Sequence, residues 1–75
     1  MRIRFDPEAD AATIILSDPT SDVGVVDSHV CDLDVTGAAV ILDRDASGHL
    51  VQIEILGASI LLASVVLNAA DRNDQ

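Results

Sequence analysis

The sequence predicts an α+β domain in which an antiparallel β-meander of about five strands is followed by one C-terminal apolar helix. Apolar and polar residues alternate with a period of two, clusters of turn formers separate the alternating stretches, and residues 55–70 then contain no ionisable side chain. A chain of 75 residues has room for one hydrophobic core. We therefore assign residues 1–70 to a single β-rich domain with a C-terminal helix, and residues 71–75 to a flexible polar tail.

The first two predicted strands lie on either side of a proline-containing turn. Residues 2–5 alternate arginine with apolar side chains and end at Asp6-Pro7, where proline suits a turn and has no N–H for a strand ladder. Residues 11–17 are rich in β-branched side chains, carry no helix cap and end at the turn formers 18–22. These two segments are the predicted strands one and two.

Three further strands are predicted in the middle of the chain. Residues 23–35 form a long third strand, since apolar residues alternate with aspartate from Cys31 onward. Residues 38–43 form the fourth strand, and the tight turn at 45–48 leads into a fifth in which residues 51–55 alternate apolar and polar. The side chains expected to be buried include Phe5, Ile14, Leu16, Leu33, Leu42, Ile53 and Ile55.

A helix is predicted after Gly57. Ser59 is placed to cap it, its body covers residues 60–67, and it continues to Ala70 without a charge. A sixth strand is the alternative, because short apolar runs rich in β-branched residues do not discriminate helix from strand. A membrane span needs about 20 apolar residues, so the uncharged residues 55–70, which include two serines and an asparagine, are too short to be one.

The apolar arc of this helix is wider than one small sheet can cover. Leu62 and Val66 lie on one of its faces, and further leucines and isoleucine flank the polar stripe on the other. Unburied apolar surface of this kind predicts self-association, and a symmetric homodimer is the simplest closed form.

The charge of the chain excludes several classes of partner. Thirteen acidic residues face four basic ones, all of them arginine, which gives a formal net charge of -9. Nucleic-acid binding needs cationic side chains for phosphates and aromatic ones for bases, and Phe5 is the only aromatic residue, so we expect no nucleic-acid partner. The same charge disfavours anionic membrane surfaces and favours a basic protein partner. A salt-adapted host proteome would explain the acidity equally well.

The single cysteine bears on the compartment. Cys31 cannot form a disulfide within the chain, and the N-terminus carries no apolar signal stretch. Both features predict a protein of the reducing cytoplasm.

Three short motifs occur in a fixed order along the chain. Residues 5–11 read F-D-P-E-A-D-A, residues 43–48 have the pattern D-x-D-x-x-G, and residues 53–56 read I-E-I-L. Together they resemble a family of small prokaryotic proteins, number 2283 among the domains of unknown function, over about residues 3–59. The resemblance implies a compact β-rich fold with a terminal helix and no established activity.

Residues 43–54 match the spacing of a calcium-binding loop, with acids at the first, third and twelfth positions and glycine at the sixth. Such a loop lies between helices, whereas the flanking residues here alternate like strands. Glu54 in an extended strand would lie roughly 20 Å from Gly48, too far to share a metal ion with Asp43. We therefore expect a β-hairpin in which Asp45 and Ser47 accept turn N–H groups and Gly48 takes a positive φ. No metal or cofactor site is predicted.

Two other combinations of reactive residues, a possible zinc site and a possible nucleophile–base pair, also fail to predict a functional site. Asp27, His29 and Cys31 share a strand face, but zinc usually needs four ligands and no second cysteine exists. Ser28 and His29 point to opposite faces of a strand, so they cannot pair as nucleophile and base. No catalytic residue is predicted.

The acidic residues Asp6, Glu8 and Asp10 are the candidate functional loop. Paired carboxylates can exchange protons if one is desolvated, although Asp6 is also placed to accept turn N–H groups.

Two functions remain open. The first is a non-catalytic protein-interaction module, as partner or neutraliser of a basic protein, and the second is a small enzyme or ligand-binding domain that uses this loop. The absence of catalytic motifs and the small core favour the interaction module.

Overall fold

The computed structural model describes residues 2–16 and 24–72, which form six strands and two short helices. In chain order the elements are β1 (Arg2–Asp6), β2 (Ala11–Ile15), β3 (Asp27–Cys31), β4 (Ala39–Arg44), β5 (Leu50–Leu56), α1 (Ala58–Leu61), α2 (Ser64–Ala69) and β6 (Asp71–Arg72). The α+β class is therefore as the sequence predicts.

The strands form one sheet with the order β3-β4-β5-β2-β1-β6. Five of them are antiparallel, and β6 adds two residues parallel to β1. Only β3, β4 and β5 form a meander, because β2 pairs with β5 and lies three positions away from β3. The prediction of a continuous meander is wrong on this point, since alternation defines which face a side chain occupies and not which strand lies beside it.

The third strand is shorter than predicted. It ends at Cys31, because the Asp32 carboxylate accepts the N–H of Asp34 at 2.9 Å and Asp34 has a positive φ of 56°, which turns the chain out of the sheet. Leu33, predicted to be buried, lies within this turn and is 45% exposed. Leu16, just after β2, is also exposed, contrary to the prediction.

The core lies between the sheet and the helices. Phe5, Ala12, Ile55 and Ala58 are buried together. Two of the four are alanines with at most 1% exposure, so α1 can approach the sheet closely. Around this cluster pack half-buried apolar side chains from strands and helices, namely Ile14, Ile53, Leu61, Leu62, Leu67 and Ala70. The predicted core positions Phe5 and Ile55 are confirmed, and Leu42 is half-buried.

Two helices replace the single predicted helix. α1 ends at Leu61, and its C-cap residue Leu62 donates its N–H to the carbonyl of Ala58. Leu62 and Ala63 are extended before α2 begins. The interruption lets both Leu62 and the α2 residue Leu67 contact the same small core. Ser59 lies inside α1 and does not cap it, because Gly57 occupies the N-cap position. Among the described residues, no helix has the length and apolar character to cross a bilayer.

Gly57 is required where the sheet passes into α1. It has a φ of 70°, and a Cβ atom there would lie 2.3 Å from the carbonyl oxygen of Gly37. No side chain fits at that distance, so the glycine permits the close contact between the start of α1 and the turn before β4.

Candidate functional site

The two faces of the sheet differ in what covers them. The face that carries Phe5, Ala12 and Ile55 packs against the helices. The other face, here called the open face, carries the alternate residues of each strand. The strand register aligns these in two adjacent rows, one of Ser28, Asp43, Gln52, Ile15 and Arg2, the other of Val30, Ile41, Glu54, Thr13 and Arg4.

A polar cluster joins three strands of the open face. Asp43 of β4 is only 1% exposed, and its carboxylate accepts a hydrogen bond from the Ser28 hydroxyl at 2.6 Å and one from the Gln52 amide at 2.8 Å. Glu54 of β5 lies diagonally across from it and is hydrogen-bonded to Asp43 as well. A buried carboxylate is tolerated here because donors from β3 and β5 surround it.

Their mutual hydrogen bond shifts the pKa values of the two carboxyl groups of this cluster in opposite directions. The hydrogen bond to Asp43 raises the pKa of Glu54, and both burial and the negative charge of Asp43 act in the same direction. Burial would raise the pKa of Asp43, but hydrogen bonds from Glu54, Ser28 and Gln52 outweigh it and hold that pKa below its ordinary value. Glu54 therefore binds a proton more readily than Asp43 does, and it is the donor in the hydrogen bond between the two groups.

The contact between Asp43 and Glu54 contradicts the expectation that these two residues of the calcium-loop pattern lie far apart. Asp43 and Glu54 touch, because β4 and β5 are antiparallel and run back beside one another from the turn. The predicted hairpin and the roles of Asp45 and Gly48 are confirmed: the Asp45 carboxylate accepts the N–H groups of Ser47 and His49, and Gly48 has a φ of 84°. Ser47 donates its N–H in this turn, whereas the sequence predicted it as an acceptor. Among the described residues, no group of three His, Cys, Asp or Glu side chains is placed to hold a metal ion.

The candidate acidic loop forms the turn between β1 and β2. Asp6 accepts the N–H groups of Glu8 and Ala9, as predicted, and Glu8 is exposed to solvent. Asp10 has a φ of 50°, and its carboxylate accepts both the N–H and the hydroxyl of Ser59, at 2.9 and 2.7 Å. Two of the three carboxylates thus hold local structure, and Asp10 also connects the hairpin to the first turn of α1.

An open groove of about 330 Å³ lies on the open face beside this loop. Its lining combines side chains of both charges with neutral polar and apolar ones, from Arg4, Asp6, Ala11, Thr13, Ile15 and Gln52. Asp6 is the only one of the three loop acids in this lining, and Gln52 links the groove to the Asp43 cluster.

The other end of the sheet presents a surface of a different kind, here called the β3 surface and defined as residues 25–35. Residues 27–30 of β3 are all exposed, and none of the described strands pairs with the outer edge of β3. Half of the ten exposed large hydrophobic side chains among the described residues lie in this short segment: Val25, Val26, Val30, Leu33 and Val35. Asp27, Asp32 and Asp34 lie between them, and Asp27 is paired with Arg44 of β4.

A second groove, of about 420 Å³, borders the β3 surface on the helix-covered side of the sheet. It is lined by His29, Leu42, Arg44, Gly48 and Leu50. Leu50 is 39% exposed and the groove is open to solvent, so an apolar side chain entering it would contact both leucines.

The residues proposed for self-association lie on the C-terminal segment. Leu62 packs against the core cluster, and Val66 is half-buried in α2. The exposed large hydrophobic side chains of the two helices are their neighbours Ile60 and Val65, at 54% and 73%.

The sequence interpretation missed the Asp43–Glu54 contact and the Asp10–Ser59 contact. The first was detectable, since counting outward from the predicted turn at 45–48 brings Asp43 and Glu54 to nearby positions on neighbouring strands. The second joins residues 49 positions apart, and no local pattern carries that information.

Comparison with known proteins identifies the family. A family model described as "Protein of unknown function (DUF2283)" matches residues 2–59, which include β1 to β5 and the start of α1. No curated protein and no solved structure matches the chain. The three motifs, the residues matched and the β-rich fold agree, and the chain belongs to this family of proteins of unknown function.

Proposed function

We propose that the protein is a non-catalytic interaction module that binds a basic protein partner through the β3 surface. The supporting observation is the concentration of exposed apolar side chains in and beside β3, whose outer edge pairs with no described strand, interspersed with Asp27, Asp32 and Asp34. Isolated exposed apolar residues are ordinary, but a contiguous patch with a polar rim is typical of a binding surface.

Charge and apolar surface have separate roles in this proposal. The net charge of -9 attracts a basic partner over a distance and disfavours acidic ones, so it increases the association rate. Val26 and Val30, at 65% and 59% exposure, supply the area that is removed from water in the complex. Neutralising a partner's basic surface would follow directly from such binding.

Self-association is the second part of the proposal. Residues 58–70 contain no ionisable side chain, so two copies can meet through α1 and α2 without bringing their acids together. Leu62 and Val66 remain the proposed contact residues, with the more exposed Ile60 and Val65 beside them. Light scattering at micromolar concentration tests this, and a monomer at all concentrations would contradict it.

A ligand-binding or enzymatic function is the second candidate. The observation that favours it is the groove on the open face, where Asp6 of the acidic loop lies beside Arg4, Thr13 and Gln52. A small polar molecule bound there would find charged and neutral polar groups, with the apolar Ala11 and Ile15 also in the lining.

Affinity capture with two matched charge variants distinguishes these functions. We expect a near-stoichiometric basic protein whose capture weakens several-fold between about 50 and about 500 mM salt. Asp34→Asn should reduce capture, whereas Glu8→Gln removes one negative charge from the acidic loop and should leave capture unchanged. The interaction proposal fails if no protein is captured and a metabolite co-purifies instead. Loss of that metabolite in Asp6→Asn would support the second candidate.

A further inference from the structure

The free edge of β3 indicates how a partner would bind, and not only where. Residues 27–30 are exposed, and among the strands that the structure describes β4 alone pairs with β3. The backbone groups that point away from β4 can therefore form a ladder with another extended chain. We propose that an extended segment of the basic partner adds to the sheet as a further strand beside β3, an inference that rests on the proposed function.

The side chains around the edge define the chemistry of that segment. An added strand places alternate residues on the two faces of the sheet. On the helix-covered side these residues would lie next to His29 and the groove containing Leu42 and Leu50, which accepts an apolar side chain. Past the end of β3, Asp32 and Asp34 are exposed and can bind lysine or arginine. The segment is thus apolar in the middle and basic at an end.

A second copy of this chain fits the edge less well. Two β3 strands paired antiparallel would bring Asp32 and Asp34 of one copy towards Asp27 of the other, and each copy carries a net charge of -9. Asp27 is already paired with Arg44 of its own chain. Charge complementarity therefore favours a basic segment over self-pairing.

The first experiment uses a synthetic probe and measures backbone protection. The probe is a short peptide with alternating valine and threonine in the middle and lysines at both ends. We expect saturable binding that slows amide hydrogen exchange within residues 27–31, since a new ladder protects the outward-facing N–H groups. A control peptide with N-methyl groups at alternate residues keeps the charge but cannot form the ladder, and should bind at least about tenfold more weakly.

Two protein variants localise the effect. Val30→Lys and Val65→Lys each replace an exposed valine, at 59% and 73% exposure, and change the net charge equally. Val30→Lys should weaken peptide binding at least about tenfold, because lysine on an edge strand repels a cationic added strand, while Val65→Lys should have no effect. Equal binding of the two peptides, absence of protection at residues 27–31 or equal effects of the two variants would overturn the proposal.

The same variants separate this inference from the proposed function. If the captured partner binds Val30→Lys as tightly as the parent protein, strand addition is wrong and the interaction module stands. If no basic protein is captured by the parent protein either, the proposed function itself fails.

Discussion

The two faces of this sheet are built from the same alternating strands but are stabilised differently. On the helix-covered face, Phe5, Ala12 and Ile55 are buried by contact with Ala58 and its neighbours. On the open face, Asp43 is just as inaccessible, yet it is surrounded by hydrogen-bond donors from Ser28, Gln52 and Glu54. One face depends on apolar burial and shape, and the other on satisfied polar groups. Substitutions should therefore have different consequences on the two faces.

The largest difference is expected for two consecutive residues of β5. Ile55 is 6% exposed in the core and Leu56 is 42% exposed on the open face. Ile55→Ala should lower the free energy of unfolding by about 2–5 kcal/mol through lost burial and a cavity, a large part of the roughly 4–11 kcal/mol expected for a domain of this length. Leu56→Ala should cost less than about 1 kcal/mol. Urea denaturation of both variants measures this, and equal losses would mean that the open face is also covered in solution.

The next effect concerns the junction between the sheet and α1. Gly57→Ala introduces a Cβ atom 2.3 Å from the Gly37 carbonyl oxygen and places alanine at a φ of 70°, which should cost about 2–3 kcal/mol. Gly48→Ala is the matched control, because Gly48 has a φ of 84° but nothing within 4 Å of the new atom. It should cost only about 1 kcal/mol. Urea denaturation of both variants tests this. Similar losses in the free energy of unfolding for Gly57→Ala and Gly48→Ala would indicate that the backbone shifts to accommodate a side chain at residue 57.

On the open face, removing the buried carboxylate should have an intermediate effect. Asp43→Ala leaves the donors of Ser28, Gln52 and Glu54 without their acceptor, and we expect a loss of about 1–3 kcal/mol. Asp71→Ala is the control, since its ion pair with Arg2 joins side chains that are 61% and 55% exposed, and such pairs contribute at most about 1 kcal/mol. Thermal and urea denaturation report both. A larger loss in the free energy of unfolding for Asp71→Ala than for Asp43→Ala would show that the β6 edge contributes more to stability than the polar cluster does.

The smallest expected effect is on the pH dependence of stability. The folded state raises the pKa of Glu54 above its ordinary 4.5. The protonated Glu54 carboxyl therefore makes its full contribution to the free energy of unfolding below pH 4.5, and this contribution is lost as the pH rises through the raised pKa. The lowered pKa of Asp43 acts oppositely: its contribution is present above 3.8 and is lost as the pH falls through the lowered value.

Glu54→Gln tests this, because glutamine keeps a neutral donor towards Asp43 at all pH values. Wild type should lose stability relative to this variant as the pH rises from about 4 to about 8. Glu8→Gln, in an exposed turn, should instead follow the pH profile of the wild type. Parallel profiles for wild type and Glu54→Gln would mean that Glu54 gives up its proton at an ordinary pH.

Local chemistry made much of the fold predictable. Alternation located the strands that became β1, β2, β4 and β5, and Asp6, Asp45 and Gly48 have the turn roles expected of their residue types. The third strand was overextended, because Leu33 continues the alternating pattern although Asp34 turns the chain away. The segment after Gly57 was predicted to be helical; its division at Leu62 and Ala63 was missed, and the predicted cap at Ser59 was wrong.

The candidate site was less predictable because it depends on which strands are neighbours. Ser28, Asp43 and Glu54 meet only when β3, β4 and β5 lie side by side in one register. The edge position of β3 follows from the sheet order, in which β2 pairs with β5 and β3 is outermost among the described strands. Within each strand, alternation assigned residues to faces but carried no information on the order of the strands.

By itself, the sequence determined the β-rich class, the turn chemistry, the negative charge and the family, because each depends on residues close together in the chain. The tertiary structure decided that Asp10 binds Ser59, that Ser28 donates a hydrogen bond to Asp43 and that β3 is the outermost of the described strands on its side of the sheet. These features depend on contacts between distant segments. The free energy of such contacts comes from packing and desolvation in the assembled sheet, and no local pattern encodes it.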